Sequence, residues 1–371
     1  MNSTLSIKKT SLNQVHKDQK GKMVEFAGYE MPVEYSFGML KEHEWVRGDN
    51  IGLFDVSHMG QITIEGPNSA EFLSKLTPSN FKIAKNNLAK YTVLTNEKGG
   101  IIDDLIITRI AEDKFFIVIN AGCKEKDIAW ITKNLPKELT LTKLDNRSLI
   151  AIQGLKAEEV LQNFITKGRL SELPYMNLGE FTLKNGQNIF ISRTGYTGED
   201  GFEVSIDDSD ASDFWLELCQ NELVRPIGLG ARDSLRLEMG YPLYGHDLNE
   251  ETSPVEAGLS WVVSKTNDSF FGSDRIIPEK ANGAKIKRVG IKVLEKGIAR
   301  EGAKIERDGK TIGKLTSGGF SPTLKTSIGQ TYLPSDIAIN GEKLHVIVRN
   351  RKILAEICSP NFLPARTKSN K

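Results

Sequence analysis

From Tyr91 the chain reads "YTVLTNEKGGIIDDLIITRIAEDKFFIVIN", three β-rich apolar runs parted by the polar turn clusters NEKGG and AEDK. That rhythm predicts an antiparallel meander. Just beyond it, "KEKDIAWITKNLP" spaces Ile128, Ile131 and Leu135 along one helical face and meets a stopping Pro136. "ITIEGPNSAEFL" from Ile62 and "IAIQGLKAEEVL" from Ile150 share an order of strand, glycine and helix, and "FEVSIDDSDASDFWLEL" from Phe202 repeats it without the glycine. Recurring units of this kind predict related α+β modules that share sheets. After about Gly283 the texture changes to "GAKIERDGKTIGKLTSGGFSPTLKTSIGQTYLP" and "INGEKLHVIVRNRKILAEI", with Asp308-Gly309 and Asn340-Gly341 read as hairpin turns. This is a separate all-β unit, a small barrel or sandwich, entered through the Lys-rich connector "PEKANGAKIKR".

Within the meander, "GGIIDDLII" sets two carboxylates, Asp103 and Asp104, in a run that otherwise reads as a buried strand. An ionised Asp is almost never buried without a partner, so at least one of them needs compensation. Neighbours in a strand point to opposite faces, which puts Asp103 with Leu105 and Ile107 and Asp104 with Ile102 and Ile106. Both faces are apolar, so parity does not choose between them. Two edge-strand aspartates held by loop amides would read the same way.

Composition narrows the partners. The 371 residues carry 49 Lys and Arg against 48 Asp and Glu, a net +1 that gives no reason to expect nucleic acid or an acidic membrane. Length alone predicts more than one domain. Three scattered cysteines, Cys123, Cys219 and Cys358, form no CxxC pair and suggest a reducing compartment without structural zinc. The start "MNSTLSIKKTSLNQVHKDQKGK" lacks an apolar leader core, and no run of about 18 apolar residues occurs. The expectation is a soluble, cytoplasmic protein.

The remaining candidate chemistry is sparse. "RTGYTGEDGFEVSI" fits neither a phosphate loop nor a dinucleotide fingerprint, and reads as a tight loop feeding a strand. In that strand Glu203 faces away from Phe202 and Val204, as either a solvated carboxylate or a ligand group. Arg232 in "GLGARDSLRLEMGYPLYGHD" sits near a helix start, where the dipole does not favour a cation, so it answers either a surface salt bridge or a specific partner. His58, in "FDVSHMG" near Asp55, has no second histidine at ligand spacing and no GxSxG elbow to serve, and is read as a hydrogen-bonded structural residue. Cys123, beside lysines in "NAGCKEK", is likewise read as structural.

Taken in order, "KMVEFAGYEMPVEY", "GLFDVSHMGQ", "YTVLTNEKGGIIDDLI", "NAGCKEKD", "TGYTGEDGFEV", "GLGARDSLRLEMGYPLYGHDLNEETSPVEAGLSWVV" and "LTSGGFSPTL" resemble the folate-dependent aminomethyltransferases, the T-proteins of the glycine cleavage system. The resemblance runs over nearly the full length. It implies an α+β, multidomain cloverleaf of mixed α/β modules around a central folate channel, with a C-terminal β-barrel domain. Residues 1–283 would form the folate-binding region, two interleaved α+β domains, and 284–371 the barrel. It also implies that Asp104 is the catalytic carboxylate beside the reacting folate nitrogens, and that Glu203 and Arg232 bind the pterin end. Met59, Tyr91, Val118, Asn120, Tyr196 and Trp261 would line the pocket. The implied reaction takes an aminomethyl group from the dihydrolipoyl arm of lipoylated H-protein to tetrahydrofolate as co-substrate, giving 5,10-methylenetetrahydrofolate and ammonia, without a metal. Two departures are visible: Tyr29 stands where tryptophan is common, and "NFLPARTK" lacks a tyrosine that some members carry near Thr367. A tetrahydrofolate-dependent demethylase of the same superfamily and a non-enzymatic folate-binding protein are the alternatives. The KGCYxGQE-like segment expected of an iron-sulfur assembly relative is absent.

Overall fold

The expected meander forms in the computed structural model: strands Ala89–Thr95, Ile101–Ala111 and Lys114–Ile119 pair antiparallel in sequence order. Residues 7–368 are described; residues 1–6, part of the N-terminal stretch read above for a leader, and 369–371 lie outside the described residues. Gly60–Glu65 and Thr140–Lys143 complete a five-stranded sheet. The strand bearing the aspartates is flanked on both sides, so the edge-strand reading of the doublet does not hold. Helix Lys124–Asn134 follows as its spacing predicts, with Ile131 in the core.

A seven-stranded sheet lies beside this one. In its interior Arg147–Gln153 pairs antiparallel with Gly201–Asp207, the middle strand, and with Ile51–Asp55. Every residue of Arg147–Gln153 after Arg147 is buried, which explains its near-continuous apolar run. Phe214, Trp215 and Leu218 of helix Asp208–Leu218 enter the same core. All three strand-then-helix units exist, yet the first lies in the smaller sheet and the other two are neighbours in the larger. The chain passes between these two sheets twice, at 56–59 and before Arg147. The first crossover therefore carries Ser57, His58 and Met59 to the seam between the sheets.

From Ile286 to Cys358 six strands close into a barrel around Ile291, Ile305, Leu315 and Val346. Asp308 and Gly309 form a tight hairpin turn with φ of 53° and 77°. Asn340-Gly341 does not: Lys343–Val348 pairs with Lys304–Arg307 and Arg351–Cys358, and the second tight turn is Arg349-Asn350, at φ 49° and 63°. That turn holds two side-chain-bearing residues in the left-handed region, so no glycine marked it. Among the described residues no helix is long and apolar enough to cross a membrane.

Helix Leu229–Glu238 ties the units together. Ala231 and Leu235 pack on Phe54, Leu149 and Ala151 of the larger sheet. At the other end Glu238 accepts from Arg47 Nε at 3.0 Å and from the Ser321 and Thr323 hydroxyls of the barrel, and lies 3.2 Å from His43. Burial alone would raise this carboxyl; the His43 contact, the Ser321 hydroxyl and Arg47 bring it to about 2. A depressed folded-state value stabilises the fold above the ordinary value of 4.5 and is lost as pH falls through about 2. Thermal melts should therefore decline between these limits. Glu238→Gln should flatten the decline and lower stability near neutrality by roughly 3 kcal/mol, since Arg47 and His43 lose their buried partner. An unchanged acid profile in the variant would contradict the assignment.

Candidate functional site

Alternation along Ile101–Ala111 sends Asp103 into the core, fully buried, and Asp104 toward a cavity of about 1070 Å³. The glycine before the strand is required by approach, because a Cβ on Gly100 would fall 1.7 Å from the Glu250 carbonyl oxygen. The two carboxyls are not independent despite their opposite faces. Asn120 Nδ2 lies 3.0 Å from an oxygen of each, and the Asn120 backbone N–H donates to Asp103 at 3.2 Å. Tyr91 donates its hydroxyl to Asp104 at 2.9 Å. Burial, then the Asp103 charge, raises the Asp104 carboxyl from 3.8 to about 7, against the lowering effect of the Tyr91 and Asn120 hydrogen bonds.

Across the cavity, the loop before Gly201–Asp207 is tight, as expected: Gly198 has φ +77°, and a Cβ there would meet Met239 Sδ at 2.2 Å. This loop presents Thr194, which donates to Glu203 Oε2 at 2.5 Å, and Tyr196, whose hydroxyl donates to the Pro242 carbonyl. Arg232 enters from its helix with the guanidinium 4.8 Å from the centre of the Tyr196 ring. Burial lowers its pKa, and the Glu203 charge opposes that shift. Trp261 stacks on Tyr91 with ring centres 5.5 Å apart and remains 64% exposed, so it lies at the mouth of the cavity. Met59 and Val118 add apolar wall. All nine residues read from the sequence as site candidates border this single cavity.

Several lining groups were not anticipated. His58 borders the cavity, and its buried Nδ1 has no hydrogen-bond partner among the described residues, so the reading of a hydrogen-bonded structural residue is corrected. Asp55 is already taken by His16, at 2.9 Å, and by Thr10. Burial pushes the His58 imidazole down to about 4, with Asp55 opposing and Arg232 and Lys124 reinforcing, which leaves it neutral at pH 7. Arg288 from the barrel and Ser359, Pro360 and Asn361 from the tail close one side. The tail then runs back to the larger sheet, where Arg366 meets Glu199 at 2.8 Å and Lys368 meets Glu158 at 3.2 Å. No local motif announces these contacts, since they join residues more than 150 positions apart.

Residues 12–267 match the family described as GCVT N-terminal domain, and residues 287–363 match the glycine cleavage T-protein C-terminal barrel domain. The chain belongs to the glycine cleavage T-protein family. A Clostridium botulinum protein named aminomethyltransferase is 40% identical over 98% of this chain and 99% of its own length. A Halothermothrix orenii protein of the same name is 41% identical over 96% and 100%. The crystal structure of glycine cleavage system aminomethyltransferase T from Bartonella henselae overlays with a TM-score of 0.91 at 37% identity, covering 97% of this chain and 99% of that one. The T-protein fold therefore extends over both sheets and the barrel.

The stability of this chain reports on Asp104 without an activity assay. Its folded-state pKa is raised, so the carboxyl destabilises the fold progressively as pH rises from about 4 to about 7. Asp104→Asn should melt higher than the parent above pH 7, and the gain should vanish below pH 4. An equal difference at both ends would mean that Asp104 does not titrate in this range.

Proposed function

We infer that this chain is the aminomethyltransferase of a glycine cleavage system, moving the one-carbon unit of S-aminomethyldihydrolipoyl carrier protein to tetrahydrofolate, with 5,10-methylenetetrahydrofolate and ammonia as products. Family membership and the names of its relatives support the reaction class. The observation that carries the mechanism is the convergence of Asp104, Glu203 and Arg232, from three separate elements, on one mostly apolar cavity. Such a cavity suits a large planar ligand held by a few polar anchors.

The Glu203 carboxylate can accept two hydrogen bonds from the ring N–H and exocyclic amine of a pterin, while Thr194 holds one of its oxygens. Tyr196, stacked at 5.7 Å on Tyr241 and covered by Arg232, gives a rigid aromatic wall. In the transfer, folate N5 and N10 each lose a proton, and the sulfur and the departing nitrogen each gain one. A base with pKa about 7 can take and return those protons at neutral pH, and its charge stabilises the iminium-like carbon. Asp104 has both properties. Its Tyr91 and Asn120 hydrogen bonds fix its orientation.

Asp104→Asn should lower single-turnover release of ammonia from aminomethylated H-protein, in the presence of tetrahydrofolate, by about 10² to 10⁴. Asp103→Asn, if its melting is cooperative, should mostly retain turnover. Near-normal release by both variants would overturn the carboxylate mechanism. Glu203→Gln replaces an acceptor with a donor and should weaken tetrahydrofolate binding by roughly 2 to 4 kcal/mol in calorimetric titration; unchanged affinity would remove Glu203 from the site.

A further inference from the structure

Behind Asp104, away from the cavity, the fully buried Asp103 and Asp127 side chains face each other. One donor or acceptor atom from each, together with the Cys123 sulfur, lies within 4.8 Å of the others. Asp103 accepts from the Asn120 backbone and side chain. Both oxygens of Asp127 are buried, and among the described residues neither has a donor to satisfy it. Lys126 is a nearby cation, but its ammonium is engaged by the Ile102 carbonyl, the Tyr244 hydroxyl and, at 3.6 Å, Glu250. Two ionised carboxylates at this separation in a dry core would repel strongly without compensation. A proton on Asp127 removes the repulsion and supplies the missing donor.

We propose that Asp103 and Asp127 form a buried acid pair that holds one proton between them, and that this pair acts through Asn120 as the positioning element for Asp104. This positioning role rests on the reading of Asp104 as the base. Asp127 O–H donates to Asp103, whose other bonds hold the Asn120 amide, and the same Nδ2 reaches Asp104. The pair then keeps a single negative charge behind the base. Burial raises the Asp104 carboxyl and that charge raises it further, while burial with the facing Asp103 raises Asp127 by more. The titratable and charged groups around the network include Tyr91, Cys123, Lys126, Tyr196 and Tyr244, with Glu250 beside Lys126, Arg288 near Tyr91, and Arg232 and Arg236 near Tyr196. Burial pushes the Cys123 thiol and the three phenols up, so they remain neutral at working pH.

Because the pair carries one charge, Asp127→Asn preserves it: Asp103 stays charged and the new amide donates in place of the hydroxyl. The double variant Asp103→Asn with Asp127→Asn removes the charge. Two measurements test this on the full chain. In the infrared spectrum at pH 9, a protonated-carboxyl band present in the parent should disappear in Asp127→Asn; no difference would overturn the shared proton. In single-turnover pH profiles, the acid limb near pH 7 should stay in place for Asp127→Asn and move down by about one pH unit in the double variant. A purely structural pair would lower the melting temperature and leave the limb unmoved, which would overturn the positioning role. If Asp104→Asn proved fully active, the base assignment would fall and the positioning role with it, while the infrared result would still decide the shared proton.

Discussion

Arg236 and Asp247 form an ion pair out of water, 2.9 Å apart, at the place where helix Leu229–Glu238 meets the barrel. Arg236 also donates to Ser317 Oγ, and Asp247 accepts from the Thr316 and Ser317 hydroxyls and the Leu243 amide. With these bonds the desolvated charges are satisfied, whereas removal of one partner from such a pair costs about 3 to 5 kcal/mol. The consequence reaches beyond the junction. Four residues earlier the same helix carries Arg232 into the cavity, and two residues later Glu238 binds Arg47 and the barrel. A cavity walled by two sheets and a barrel keeps its dimensions only if that helix cannot shift.

The cavity itself is a place where the chain forgoes stability. A carboxyl raised to about 7 is poorly solvated in its ionised form, and its neighbours do not fully offset that cost. The larger buried charges elsewhere are paired more completely: Arg193 bridges Asp200 and Glu158, and Asp55 takes His16, Thr10 and the Ser57 amide. Against the effect of burial, His16 and Ser57 hold Asp55 at about 2. Incomplete compensation thus separates Asp104 from Asp55, and a carboxyl in that state changes charge near neutral pH.

Much of the secondary structure was legible because it is locally encoded. The meander, the helix stopped before Pro136 and the Asp308-Gly309 turn follow from period and turn chemistry. The Asn340-Gly341 reading failed where a glycine motif competed with strand pairing, and the barrel chose Arg349-Asn350 for its turn. His58 was misread because its only nearby acid in sequence, Asp55, is occupied by His16 from 39 positions upstream.

The sequence by itself determined that Asp103 and Asp104 face opposite ways, since strand geometry alternates regardless of context. It also placed Glu203 opposite Phe202 and Val204 by the same rule. Only the tertiary structure decided which face holds the cavity. Both faces of Ile101–Ala111 are apolar, and the difference lies in what covers them: helix Lys124–Asn134 with Asp127 on one side, and Tyr196, Arg232 and the barrel's Arg288 across open space on the other. Burial, and with it the acidity of a carboxyl, is set by neighbours distant in sequence, so no local pattern could have assigned it.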